Sequence, residues 1–128
     1  VQAHKKRRPE HWLTIETNNF LKVLKEEREI LLVDSIGGFV TCNLSKNNDE
    51  WNHLLLSLIK EIKRYKNEII IVCEQVGYGL VSEYEIGNKF IERMGEVLQE
   101  ITLISNENWL TINGKVIRLD TLFIDLEE

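Results

Sequence analysis

Ile30-Leu31-Leu32-Val33-Asp34 and Ile69-Ile70-Ile71-Val72-Cys73 are the two stretches on which the fold turns. Each is a continuous apolar run, too short for a helix and bounded by polar residues. That pattern predicts a strand buried on both faces. Around them the periodicity changes. Trp51, Leu54, Leu55, Leu58, Ile59 and Ile62 recur at three- and four-residue spacing, with Asn48 or Asp49 as the cap, and predict a helix. A shorter helix is expected over Phe20, Leu21, Val23 and Leu24, opened by Thr17-Asn18-Asn19 and closed by the charged stretch from Lys25 to Glu29. A third runs from about Ser82 to Glu100, with Ile86, Phe90, Met94, Val97, Leu98 and Ile101 as its inner face. Trp12 to Glu16 has strand-like composition. The stretch from Ser35 to Asp49 carries Gly37-Gly38 and Asn47-Asn48-Asp49 and reads as at least partly loop. Asn113-Gly114 is a hairpin-turn signal between Asn108–Ile112 and Lys115–Leu119. Strands alternating with helices predict an α/β fold, a mainly parallel sheet flanked by helices.

The chain has 128 residues, 43% hydrophobic and 29% charged, which suits one domain with a real core and excludes wholesale disorder. One proline and seven glycines exclude collagen-like or low-complexity character. Two cysteines cannot build a disulfide scaffold and suit a reducing compartment, so a cytoplasmic location is expected. No apolar run is long enough for a membrane span. The net charge of −5 speaks against a general nucleic-acid binder, and the basic stretch lacks interleaved aromatics. The charge is unevenly placed: Lys5, Lys6, Arg7 and Arg8 hold four of the sixteen basic residues. The chain opens on Val1, and its single methionine is Met94.

Three groups of residues could carry chemistry. In His4-Lys5-Lys6-Arg7-Arg8-Pro9, an imidazole able to attack a phosphoryl group stands beside cations able to neutralise phosphate oxygens. Taken alone, such an arm is more often a solvated tail or an anion patch. Asp34 closes the first apolar run, and a carboxylate at a strand end can hold Mg²⁺ beside phosphates, or simply cap a turn. No G-x-x-x-x-G-K-[ST] string accompanies it. In Glu74-Gln75-Val76-Gly77-Tyr78-Gly79, the glycines allow close backbone approach to a ligand and equally a sharp strand-to-helix connection. His11 and His53 lack ligand spacing, Cys42 and Cys73 are not placed for a metal, and Cys73 is expected as a small core residue. The three tryptophans read as core or interface aromatics.

Taken together, the string His4-x-x-x-Arg8-Pro9-x-x-Trp12-x-Thr14-x-Glu16, the strand ending at Asp34 and Val76-Gly77-x-Gly79-x-Val81 resemble one family. It is the bifunctional adenosylcobinamide kinase/adenosylcobinamide-phosphate guanylyltransferases of cobalamin biosynthesis, in a cyanobacterial-like branch. Gly87-x-x-Phe90-x-x-Arg93-x-Gly95 extends the likeness, which runs from His4 to about Arg118.

The resemblance implies a P-loop NTPase-like (RecA-like) fold, a homo-oligomer (a trimer) and two reactions using GTP or ATP with Mg²⁺. One phosphorylates adenosylcobinamide. The other transfers GMP from GTP to adenosylcobinamide phosphate. By resemblance, His4 becomes guanylylated and Lys5, Lys6, Arg7 and Arg8 contact the guanine nucleotide. Glu16 and Asp34 match two acidic nucleotide-site positions, with Asp34 nearest Mg²⁺. The family's N-terminal strand and Walker A loop, expected before His4, are missing from these residues, so the 128 residues alone are expected to bind GTP poorly and to lack kinase activity. Departures fall elsewhere: Glu74-Gln75 replaces Asn-Glu or Glu-Glu, Ser82 stands for a proline, and Asn88 and Ile91 for arginines. A catalytically inactive remnant serving as a nucleotide-binding or subunit module is the alternative. An unrelated α/β domain docking an anionic partner is a third reading.

Overall fold

The two apolar runs become β1 (Leu31–Asp34) and β2 (Ile69–Val72), paired in parallel with Leu31 opposite Ile69 and Asp34 opposite Val72. The protein is seen in a computed structural model that describes residues 7–76 and 82–121. Bonds from Leu31 N to Glu68 O and from Ile36 N to Val72 O, both 3.0 Å, extend the pairing past each end. The strands are not buried on both faces as expected. Leu31, Ile69 and Ile71 pack against the core, while Leu32, Ile70 and Val72 remain 44%, 50% and 43% exposed. The core lies on one side of the pair, so a uniformly apolar run is sorted by the strand's period of two.

Trp12 to Glu16 forms no strand. Trp12 N bonds Pro9 O at 3.0 Å in a turn, and the side chains of Trp12, Leu13 and Ile15 are exposed. β-propensity makes a strand only where a ladder partner is available, and this segment has none among the described residues.

Helix α1 (Phe20–Glu26) starts as expected: the Asn19 side chain accepts from Lys22 N at 3.1 Å. Part of the expected loop is instead a helix, α2 (Gly37–Cys42). Ile36, Phe39 and Val40 sit at helical spacing and are buried, a periodicity that the glycine pair conceals in the sequence. Helix α3 (Asn48–Arg64) is capped one residue earlier than expected, by Asn47. Its side chain accepts from Glu50 N at 2.9 Å, while Glu50 accepts from Asn47 N at 3.1 Å. Helix α4 (Glu85–Ile104) begins later than expected, and Ile86 is exposed.

Leu24, Ile36, Phe39, Val40, Trp51, Leu58, Ile59, Met94, Val97 and Ile101 form the core, where α1 packs on α3, α2 on α4 and α3 on α4. Arg93 enters it from α4 at 2% exposure. Its Nη1 donates to Asn43 O (2.8 Å) and Leu44 O (3.3 Å), and its Nη2 to Lys46 O (2.6 Å). The guanidinium also lies 4.8 Å from the Trp51 ring centre. One buried cation thereby satisfies three carbonyls of the α2–α3 connection.

The expected hairpin is present as β3 (Trp109–Ile112) and β4 (Lys115–Arg118), antiparallel, with Asn113 and Gly114 at φ of 52° and 74°. Asp120 closes its open end. It accepts from the side-chain amide and the backbone N–H of Asn108, each at 2.9 Å, and faces Arg118 Nε at 3.5 Å. The Asn108 side-chain bond, then the backbone bond, hold the Asp120 carboxyl below its ordinary range, with Arg118 adding to this.

Arg93→Ala is expected to lower unfolding free energy by about 3 kcal/mol in urea titrations, because it removes three hydrogen bonds to part-buried carbonyls and the packing on Trp51. Arg93→Lys, which lacks the planar fork, should recover only part of this. For Asp120 the folded-state pKa lies below the unfolded one, so its contribution is present at neutral pH and lost as pH falls through the folded value. Leu119 N donates to Asn108 O at 2.9 Å. Its protection from hydrogen exchange, taken relative to the intrinsic rate at each pH, should therefore fall on acidification below the ordinary Asp value of about 3.9. In Asp120→Ala, exchange should be fast already at pH 7.

Candidate functional site

Parallel pairing places the carboxyl ends of β1 and β2 side by side, the edge at which α/β proteins collect ligands. Asp34 ends β1, joined by a cis peptide to Ser35, and Glu74 follows β2 by two residues. Ser35 Oγ donates to Glu74 Oε1. The other Glu74 oxygen lies over the start of α2, where a Cβ on Gly37 would come within 2.8 Å of it. Glycine at 37 lets the carboxylate approach this closely; a Cβ there would displace the Glu74 side chain.

The basic segment reaches this edge. Arg8 Nη2 stands 3.6 Å from Asp34 Oδ2, with the two side chains 28% and 44% exposed. Arg8 Nη1 donates to Thr14 Oγ1 at 3.2 Å, which folds the segment back on itself beside the Pro9–Trp12 turn. An ion pair this exposed contributes about 0.2–1 kcal/mol, enough to bias the segment toward the strand ends and weak enough to be exchanged for a phosphate.

Of the residues selected from the sequence, Arg8 and Asp34 are brought together. Arg7 and Glu16 are exposed, on the same segment. His4, Lys5 and Lys6, and Gly77 and Gly79, lie outside the described residues. His11 and His53 are exposed, and no group of three or more metal-ligating side chains occurs among the described residues. Asp34 can still serve Mg²⁺, a cation commonly held by one or two carboxylates together with substrate phosphates and water. A surface cleft lined by Asn48, Trp51, Lys89 and Glu92 contains none of the selected residues. It lies between α3 and α4, so its lining belongs to the packing around Arg93.

Sequence reading passed over Thr14 as the Arg8 partner, Ser35 as the partner of Glu74, and the burial of Arg93. Only the last had a signal: Arg93 stands three residues after Phe90 and one before Met94, on the apolar stripe of α4. Trp51 is a core aromatic as expected, whereas Trp12 and Trp109 are about half exposed. Cys73 packs against the core beneath the site. Burial, and then the Glu74 carboxylate, push its thiol up to about 11.

Parallel strands with carboxylates at or just beyond their ends, one of them facing Arg8, define an α/β protein with a charged edge at its strand ends. The comparisons make this specific. The sequence model of the family described as cobinamide kinase / cobinamide phosphate guanyltransferase matches residues 1–119, and the chain belongs to that family. It is 29% identical to the bifunctional adenosylcobalamin biosynthesis protein CobU of Escherichia coli K12 over 132 residues, covering 89% of this chain and 73% of the relative. The protein of the same name from Salmonella typhimurium LT2 is 27% identical over the same shares.

The two cysteines give a direct check on the ground beneath the site. At pH 8 a thiol titrating near 11 is about 0.1% thiolate, so the exposed Cys42 should react with iodoacetamide far faster than Cys73. Peptide mapping of the alkylated protein reads the ratio.

Proposed function

We propose that the protein phosphorylates adenosylcobinamide and transfers GMP from GTP to adenosylcobinamide phosphate in cobalamin biosynthesis, as the family's description and its relatives' names suggest. The observation that carries the reading is the Arg8–Asp34 pair. It brings the segment that follows His4 to the strand ends of an α/β sheet.

In guanylyl transfer, an imidazole nitrogen of His4 attacks the α-phosphorus of GTP. The bond from that phosphorus to the oxygen bridging to the β-phosphate breaks, and pyrophosphate leaves. A phosphate oxygen of adenosylcobinamide phosphate then attacks the same phosphorus. The P–N bond breaks, giving adenosylcobinamide-GDP and free imidazole. Lys5, Lys6, Arg7 and Arg8 neutralise the phosphate oxygens and the departing pyrophosphate. In the kinase reaction, the γ-phosphoryl group of ATP or GTP passes to the substrate hydroxyl. Mg²⁺ supplies charge neutralisation on the phosphates when bound, and Asp34 is the carboxylate placed to hold it. Glu16 lies on the same segment as a second acidic nucleotide contact. The open face of β1 and β2, bearing Leu32, Ile70 and Val72, accords with the helix-covered parallel sheet of a P-loop fold, in which both faces are packed. Assembly is read as a trimer.

GTP labelled at the α-phosphate is expected to leave an acid-labile covalent label on the full-length protein, absent in His4→Ala. Asp34→Ala should reduce both reactions at least tenfold, whereas His4→Ala should spare the kinase step. GTP binding without any label would instead support an inactive nucleotide-binding or subunit module.

A further inference from the structure

Glu74 is the charged side chain at the strand ends to which the reactions above assign nothing. It stands two residues past β2, yet among the described residues its hydrogen bond and its closest approach are to the other strand's exit. Oε1 accepts from Ser35 Oγ, on the residue that follows Asp34. Its carboxylate also covers the first residue of α2, where a Cβ on Gly37 would meet Oε2 at 2.8 Å and Cδ at 3.1 Å. Asp34, by contrast, has Arg8 as the partner of its carboxylate, and no other described side chain holds it. Its aim is therefore set by the backbone turn at Asp34–Ser35. That turn is tied to β2 at two points, Ile36 N to Val72 O and Ser35 to Glu74. With Oε1 engaged and Oε2 laid over Gly37, the Glu74 carboxylate is occupied as a strut.

We propose that Glu74 is a positioning residue: through Ser35 it fixes the exit of β1 so that Asp34 faces Arg8 and the basic segment docks at the strand ends. The docking half of this follows from the geometry alone. Its consequence for nucleotide use rests on the reading under Proposed function.

Two readouts on the full-length protein test it. Trypsin cuts after Arg7 but not at the Arg8–Pro9 bond, so the cleavage rate after Arg7, divided by that after Arg64 in α3, reports docking of the segment and cancels general loosening. Glu74→Ala and Ser35→Ala should each raise that ratio about two- to fivefold, up to the ceiling set by the exposed Arg8–Asp34 pair that they position. The double variant should be no faster than either single one, because both remove the same contact. Glu74→Gln, whose amide oxygen still accepts from Ser35, should stay within about twofold of the parent. Gly37→Ala, which pushes the carboxylate off its seat, should behave as Glu74→Ala. In the labelling reaction, Glu74→Ala should raise KM for GTP several-fold with kcat little changed.

An unchanged ratio in Glu74→Ala and Gly37→Ala, or additive effects in the double variant, overturns the positioning role. If the parent forms no label but the cleavage pattern holds, the guanylyl-transfer reading fails and the positioning role stands. Label with no change in cleavage fails the role and leaves that reading intact.

Discussion

Parallel pairing of β1 and β2 is the constraint from which the rest of the arrangement follows. Its register sets Asp34 opposite Val72, so both strands run out at the same edge. Without that alignment, Ser35 and Glu74, separated by 39 positions in sequence, could not share a hydrogen bond. Nor would Asp34 stand clear of the sheet where a cationic side chain can reach it. Two-stranded sheets are marginal alone, so the pair depends on the helices packed against one of its faces. The buried centre of that packing is Trp51, with Phe39 at 6.2 Å between ring centres, and Glu96 accepts from the indole nitrogen at 2.5 Å.

Two arginines show how burial divides a structural cation from an exchangeable one. Arg93 is almost sealed, is bonded to three carbonyls and stacks on Trp51, so it cannot be spared for a ligand. Arg8 is partly exposed and meets one carboxylate at 3.6 Å. Desolvation makes the first contact costly to break, while solvent keeps the second exchangeable. An exchangeable cation is the useful kind beside a phosphate. In the proposed reactions Arg8 would pair with Asp34 until an anion arrives and then turn to its phosphate.

Much of the fold was legible because period and caps are local. The stripe from Trp51 to Ile62, the Asn19 cap and the Asn113-Gly114 turn each need only neighbours in sequence, and each appears. What escaped was non-local. Whether Leu32 and Ile70 are covered depends on what packs on the second face, and Trp12–Glu16 becomes a strand only beside a partner. Helix α2 was hidden because Gly37-Gly38 signals a turn by propensity, whereas the packing of Glu74 on Gly37 is a tertiary demand. Asp34 and Arg8 could be selected one by one, but their pairing was not written in any spacing. Thr14 and Glu74 were also among the residues selected from the sequence, but their contacts with Arg8 and with Ser35 came only from the geometry.

The central claim is that the basic segment is held at the strand ends by Asp34. Amide hydrogen exchange across residues 7–16, compared between the parent protein and Asp34→Asn, tests it most directly. Loss of the charge should speed exchange in this segment about two- to fivefold, as expected for a weak exposed ion pair, and leave the β1 and β2 amides unchanged. Equal exchange of residues 7–16 in both proteins would contradict the account.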